Sequence, residues 1–203
     1  MKHALDFATS NRLELEILLQ HYTYDSLKLE AAKFLIRNMP HCYSYQQGGE
    51  MDSVKRVRTY YSPFGQIDQT YARRWGHYTY RNLPKIYDAH IITAEYLIDN
   101  IDRAFDNWQK RPWNRSLSFE DFCEYLLPYR IGDEPLEEWR ELYEKKYGYL
   151  LDSIYKGSDV VEAANLVSRH LQEPVFIYCE DFELPHIGPR YLFSHRYGSC
   201  VDA

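Results

Sequence analysis

The sequence predicts a mainly α fold: an irregular array of about six helices, a Tyr-rich loop segment and a short extended tail. Three observations predict it. Apolar residues recur at helical spacing in six separate segments. Each segment is bounded by a capping residue, a proline or a glycine. One run, Val175-Phe176-Ile177-Tyr178, has the β-branched and aromatic character of a strand.

The elements follow in order. Asn11 is the expected N-cap of the first helix, Asn11–His21, with Glu14 at the capping-box position and a stripe of Leu15, Leu18, Leu19 and Tyr22. Asp25 and Ser26 open the second, Ser26–Arg37, along Leu27, Ala31, Phe34 and Leu35. Pro40 stops it by disfavouring helix in the residue before. Residues 41–90 carry turn signals at Gly48-Gly49 and Ser62-Pro63-Phe64-Gly65 and no clean period, so they read as loops with one or two short helices. Thr93 caps Thr93–Trp108, whose stripe is Leu97, Ile101, Ala104, Phe105 and Trp108. Ser118-Phe119-Glu120-Asp121 is a capping-box signature for Ser118–Leu127. Pro135, at a first helical position, opens Pro135–Tyr155 with Leu136, Trp139, Tyr143, Tyr147, Leu150 and Ile154 on one face. Gly157-Ser158 breaks it, and Val160, Ala163, Ala164, Val167 and Leu171 mark Asp159–Leu171, which ends before Pro174.

Composition narrows the function. With 203 residues, 45% hydrophobic and 27% charged, the chain is globular, one domain or two small ones, and not disordered. No run approaches the roughly 18 apolar residues of a membrane span. The net charge of −6 argues against a general nucleic-acid binder. Between Ser53 and Asp88, however, seven basic residues face two acidic ones amid many tyrosines. Tyr60, Tyr61, Arg73, Arg74, Trp75 and Tyr78 form the candidate ligand-binding set there. Rings and guanidinium groups pack on sugar faces and hold anionic glycans or extended peptides, and the same residues also suit a loop wrapped over helices. No nucleic acid is expected as a partner.

The four cysteines, Cys42, Cys123, Cys179 and Cys200, are widely spaced and show no zinc pattern, so neither a metal nor any other cofactor is expected. Glu120, Asp121 and Glu124 read as complements to a helix dipole. Glu134, Glu137, Glu138 and Glu141 read as a solvated helix face, and Trp108, Trp113 and Trp139 as core.

Cys200 is the candidate catalytic residue. It follows Gly198-Ser199 at what reads as a helix start, where free N–H groups and the dipole stabilise a thiolate. A small apolar residue near a chain end is the other local reading. The segment RYGSCVDA resembles the motif around the nucleophilic cysteine of the transglutaminase-like superfamily. NRLELEILLQHY, DSLKLEAAKFLIRNMPHCYSY, ITAEYLIDNIDRAFDNWQK and SFEDFCEYLLPYRIGDEPLEEWR resemble the helical N-terminal region of secreted transglutaminase-like proteins of Bacteroides-type bacteria. The resemblance implies a helical domain over 1–175 and, over 176–203, a linker and the start of a transglutaminase-like core. It implies Cys200 as nucleophile, attack on peptide or amide bonds, a peptide or glycopeptide substrate, and a place in the periplasm or at the cell surface with a lipid anchor upstream. The N-terminal MKHALDFATSNRLELE has no apolar signal core, which fits a cytoplasmic chain equally well. In that family the triad histidine and aspartate follow the cysteine, whereas all eight histidines here precede Cys200. The expected function is therefore the helical region of a cysteine enzyme, inactive when isolated. The alternative is a non-catalytic binding module that uses the 53–88 surface.

Overall fold

A computed structural model of the chain describes residues 1–49, 51–52, 83–171, 177–178, 185–195 and 197–198. The protein is mainly α. It divides into two compact units: unit 1 is Met1–Cys42, Tyr87–Arg130 and Glu138–His170, and unit 2 is Tyr43–Ile86, Ile131–Glu137 and Leu171–Ala203.

Unit 1 is built from α1 (Lys2–Phe7), α2 (Arg12–His21), α3 (Ser26–Asn38), α4 (Ala94–Lys110), α5 (Phe119–Asp121), α6 (Trp139–Tyr149) and α7 (Val160–Leu171). α5 and α6 each run on into a π-helical turn, Phe122–Leu126 and Leu150–Ile154. α4 is central and packs on α2, on α3 and on the first π-helical turn. Its buried stripe of Leu97, Ile101, Ala104 and Phe105 meets Leu15 and Leu18 of α2, with Ala31, Ala32, Leu35 and Ile36 of α3 completing the core. Phe122 carries no accessible surface; its ring stacks 4.4 Å from Trp108 and lies 4.7 Å from Phe105.

Three of the expected caps form. The Asp25 side chain accepts from the Lys28 N–H, Thr93 from the Tyr96 N–H, and Ser118 and Asp121 make a reciprocal capping box. The fourth does not. Asn11 sits in the right-handed helical region at the end of a 3₁₀ turn, Thr9–Asn11, so α2 has no free start for it to cap. Its Nδ2 donates instead to the carbonyls of Ala89 (3.1 Å) and Ile92 (2.8 Å). Glu14 likewise accepts from the Ala94 N–H at 2.7 Å, capping α4 rather than its own helix.

The helix expected from Pro135 begins at Trp139. Glu134 turns back to accept from the N–H groups of Ile131 (2.8 Å) and Gly132 (2.7 Å), which closes a tight turn, and Pro135 keeps Glu134 out of the helical region. Residues 131–137 thus belong to unit 2. β1 (Tyr43–Tyr45) pairs with β2 (Lys85–Tyr87) where loops were expected, and all of these residues but Tyr87 belong to unit 2. Tyr45, Met51 and Leu83 bury a small cluster beside it. β3 (Ile177–Tyr178) pairs in parallel with β4 (Tyr197–Gly198), Ile177 opposite Tyr197, and α8 (Gly188–His195) lies between them in sequence. Val175 and Phe176 of the expected strand lie outside the described residues. Among the described residues no helix is long and apolar enough to cross a membrane.

The cap that Glu14 provides is a charge-assisted hydrogen bond at a helix start. Glu14→Ala should lower the unfolding free energy in urea by about 1–2 kcal/mol. Leu13→Ala, one residue away and 64% exposed, should change it by less than about 0.5 kcal/mol. Equal effects would place the Glu14 carboxylate in solvent.

Candidate functional site

The candidate site is the turn Ile131–Glu137 and the segment 185–190, both in unit 2. The local sequence explains the turn. Gly132 has no side chain, and a Cβ there would stand 2.6 Å from His186 Nδ1 and 2.9 Å from its Cε1, so only glycine admits the imidazole. Asp133, next in the chain, then meets His186 twice through one oxygen. Its Oδ1 accepts from the His186 backbone N–H at 2.8 Å and lies 2.7 Å from Nδ1. Both side chains are about four-fifths buried, at 20% and 21% exposure.

Burial alone would raise the carboxyl of Asp133. The hydrogen bonds from the His186 ring and backbone, together with its charge, outweigh that and hold Asp133 below the usual carboxylate range. An ionised Asp133 only accepts, so His186 presents an Nδ1–H to it.

Four residues on, Glu137 accepts from the Arg190 N–H at 2.8 Å and so caps the first turn of α8. The capped helix begins at Gly188, whose φ of +70° is the left-handed conformation that glycine adopts at least cost. A Cβ at Gly188 would also meet the Glu137 carboxylate at 3.0 Å. Ile187 and Leu192 are buried between and beyond these ties. Asp133 and Glu137 thus grip the chain at His186 and Arg190, the two sides of a glycine that turns it into α8.

The residues singled out from sequence stand elsewhere. Cys200 and Tyr60, Tyr61, Arg73, Arg74, Trp75 and Tyr78 all lie outside the described residues. Cys42 is half-buried and Cys123 buried, and burial pushes the Cys123 thiol up to about 11. Asp121 serves in the capping box of α5. Of the four glutamates expected on one solvated helix face, Glu134 and Glu137 belong to the turn, and Glu141 is on α6 in an ion pair with Lys145. Trp108, Trp113 and Trp139 are each half-buried rather than core. Among the described residues no group of three or more His, Cys, Asp or Glu could hold a metal ion. The sequence does not single out Asp133. Its only signal was the turn Gly132-Asp133-Glu134-Pro135, and its partner lies 53 residues on.

No family model, no curated protein and no solved structure matches the chain.

A carboxyl lowered by folding adds stability above its unfolded pKa, and that contribution is lost as pH falls through the lowered value. The difference in unfolding free energy between the unaltered chain and Asp133→Asn should therefore shrink as pH drops from about 5 to 2. A difference independent of pH over that range contradicts the pairing. Gly132→Ala should drive the imidazole off and move the Asp133 carboxyl, followed by NMR titration, upward, because the burial that raises it is then unopposed by His186.

Proposed function

We propose that the chain is the helical region of a thiol enzyme resembling the transglutaminases, with Cys200 as its nucleophile. The thiolate attacks the carbonyl carbon of a peptide or side-chain amide and the C–N bond breaks. The amine leaves with a proton, and water or a second amine then takes the acyl group from the thioester and restores the thiol. Its substrates are peptides or glycopeptides of the periplasm or cell surface.

The observation that carries this reading is how firmly unit 2 ties the chain leading towards Cys200. Asp133 holds it at His186, Glu137 at Arg190, and β3 at Tyr197 and Gly198. A nucleophile has to be held within about half an ångström of its productive position, which needs a supported backbone. In this reading Asp133 and His186 are positioning residues.

One observation favours a second role for His186. An imidazole oriented through Nδ1 by a carboxylate is the orientation that a general base has. Labelling kinetics separate the two roles. In the natural full-length protein, iodoacetamide at pH 6–7 should label Cys200 at least about tenfold faster than Cys123, whose thiol is buried. Cys200→Ser should abolish amide cleavage and leave the helical circular dichroism intact. If His186 is the base, His186→Gln moves the pH profile of Cys200 labelling up to that of a free thiol, near 8.5. If it only positions, the profile stays and turnover falls. Activity retained in Cys200→Ser would contradict the proposal.

A further inference from the structure

Unit 1 contains a cavity of about 150 Å³ lined by residues of α4, α6 and α7 and of the segments that follow α4 and α6. Trp139, Tyr143 and Tyr147 line it at successive i, i+4 positions of α6, an aromatic wall with ring centroids 6.1 and 5.9 Å apart. Two guanidinium groups, of Arg111 and Arg140, share the lining.

Neither cation is matched by a carboxylate of its own. Arg111 is 92% buried (8% exposed); its Nη1 donates to Asp152 at 2.6 Å, but Lys110 Nζ takes the other oxygen of that carboxylate at 2.8 Å. The buried Nε of Arg111 has no hydrogen-bond partner among the described residues. Arg140 lies 4.4 Å over the Trp139 ring and donates only to neutral oxygens: Asn100 Oδ1 at 2.7 Å, the Leu126 carbonyl and the Pro128 carbonyl at 3.0 Å. Among the described residues it pairs with no carboxylate, and loss of hydration lowers it to about 10. Glu144, the one acidic residue of the lining, is already engaged by Arg103 at 2.6 Å.

A desolvated cation without a full counter-ion is costly, and Arg111, which shares Asp152 with Lys110, and Arg140 both line the cavity, where a bound anion relieves that cost. The aromatic wall asks for a flat apolar body beside that anion. A space of about this volume accepts a six-membered ring. We propose that the cavity is a binding site for a small aromatic or cyclic monocarboxylate, its carboxylate on Arg111 and Arg140 and its ring against Trp139, Tyr143 and Tyr147.

The test is titration of the full chain with benzoate, read by Trp fluorescence and calorimetry, beside benzamide and inorganic phosphate. Benzoate should bind saturably and at least about tenfold tighter than benzamide, the difference that a charge-assisted pair makes. Phosphate should not compete. Arg111→Met should weaken benzoate by about tenfold or more. Because that variant also removes a partner of Asp152, a second one guards against misfolding. Gly148 lies on α6 in the lining, and a Cβ there meets only Glu144 Cγ, at 3.6 Å. Gly148→Leu should fill the cavity, abolish binding and leave the melting temperature unchanged or raised. No saturable benzoate binding, equal affinity for benzamide, or binding unaltered in a folded Gly148→Leu would each overturn the proposal.

Discussion

Asp88 has no accessible surface, and it persists there as a charge because Arg130 holds both of its oxygens, Nε to Oδ2 at 2.6 Å and Nη2 to Oδ1 at 2.7 Å. The Asp88 backbone N–H also donates to the Cys42 carbonyl at 3.1 Å. The chain passes between the two units at Cys42–Tyr43, Ile86–Tyr87, Arg130–Ile131, Glu137–Glu138 and His170–Leu171. Cys42, Asp88 and Arg130 stand at or beside three of these five points. This buried ion pair and this hydrogen bond tie together three of the places where unit 1 releases the chain. Removing one partner would take from the other charge its two-point contact in a buried setting, where burial also keeps the neighbouring Tyr129 phenol well above its ordinary value.

The rest of unit 1 is set from that pair outward. The Asp88 carbonyl accepts from Ile91 and Ile92, Asn11 holds the carbonyls of Ala89 and Ile92, and Glu14 caps Ala94, so the start of α4 is placed by polar groups of α2 and of the residue before it. Arg140 reaches from α6 to Asn100 in the middle of α4, and Lys110 and Arg111 reach from its end to Asp152. Apolar burial supplies the driving force, but these longer-range polar contacts decide which faces meet. They also leave a space beside the aromatic ladder of α6, walled by Arg111, which shares Asp152 with Lys110, and by Arg140, which pairs with no carboxylate among the described residues.

What was legible in the sequence was what is local. Asp25, Thr93 and Ser118 cap helices through groups three residues away, and the apolar stripes of α2, α3 and α4 follow the helical period, so pattern alone finds them. Asn11 and Glu14 carry the same local signature yet serve residues about 80 positions distant, where no pattern reaches. Residues 135–138 read as helix by the same rule, and lose that state because Glu134 and Glu137 are taken by the turn and by α8. The His186–Asp133 pair and the cavity belong to this second kind. The motif around Cys200 shows the reverse limit: it signals a nucleophile by its neighbours in sequence, while the groups that would activate it are defined only by the fold.

The most direct measurement is a double-mutant cycle on Asp88→Asn and Arg130→Met, with unfolding in urea as the readout. If the pair is the buried tie that fixes unit 1, each single change costs about 3–5 kcal/mol and the double change costs far less than their sum, with a coupling of about 2 kcal/mol or more. Additive effects, with coupling below about 0.5 kcal/mol, would contradict it.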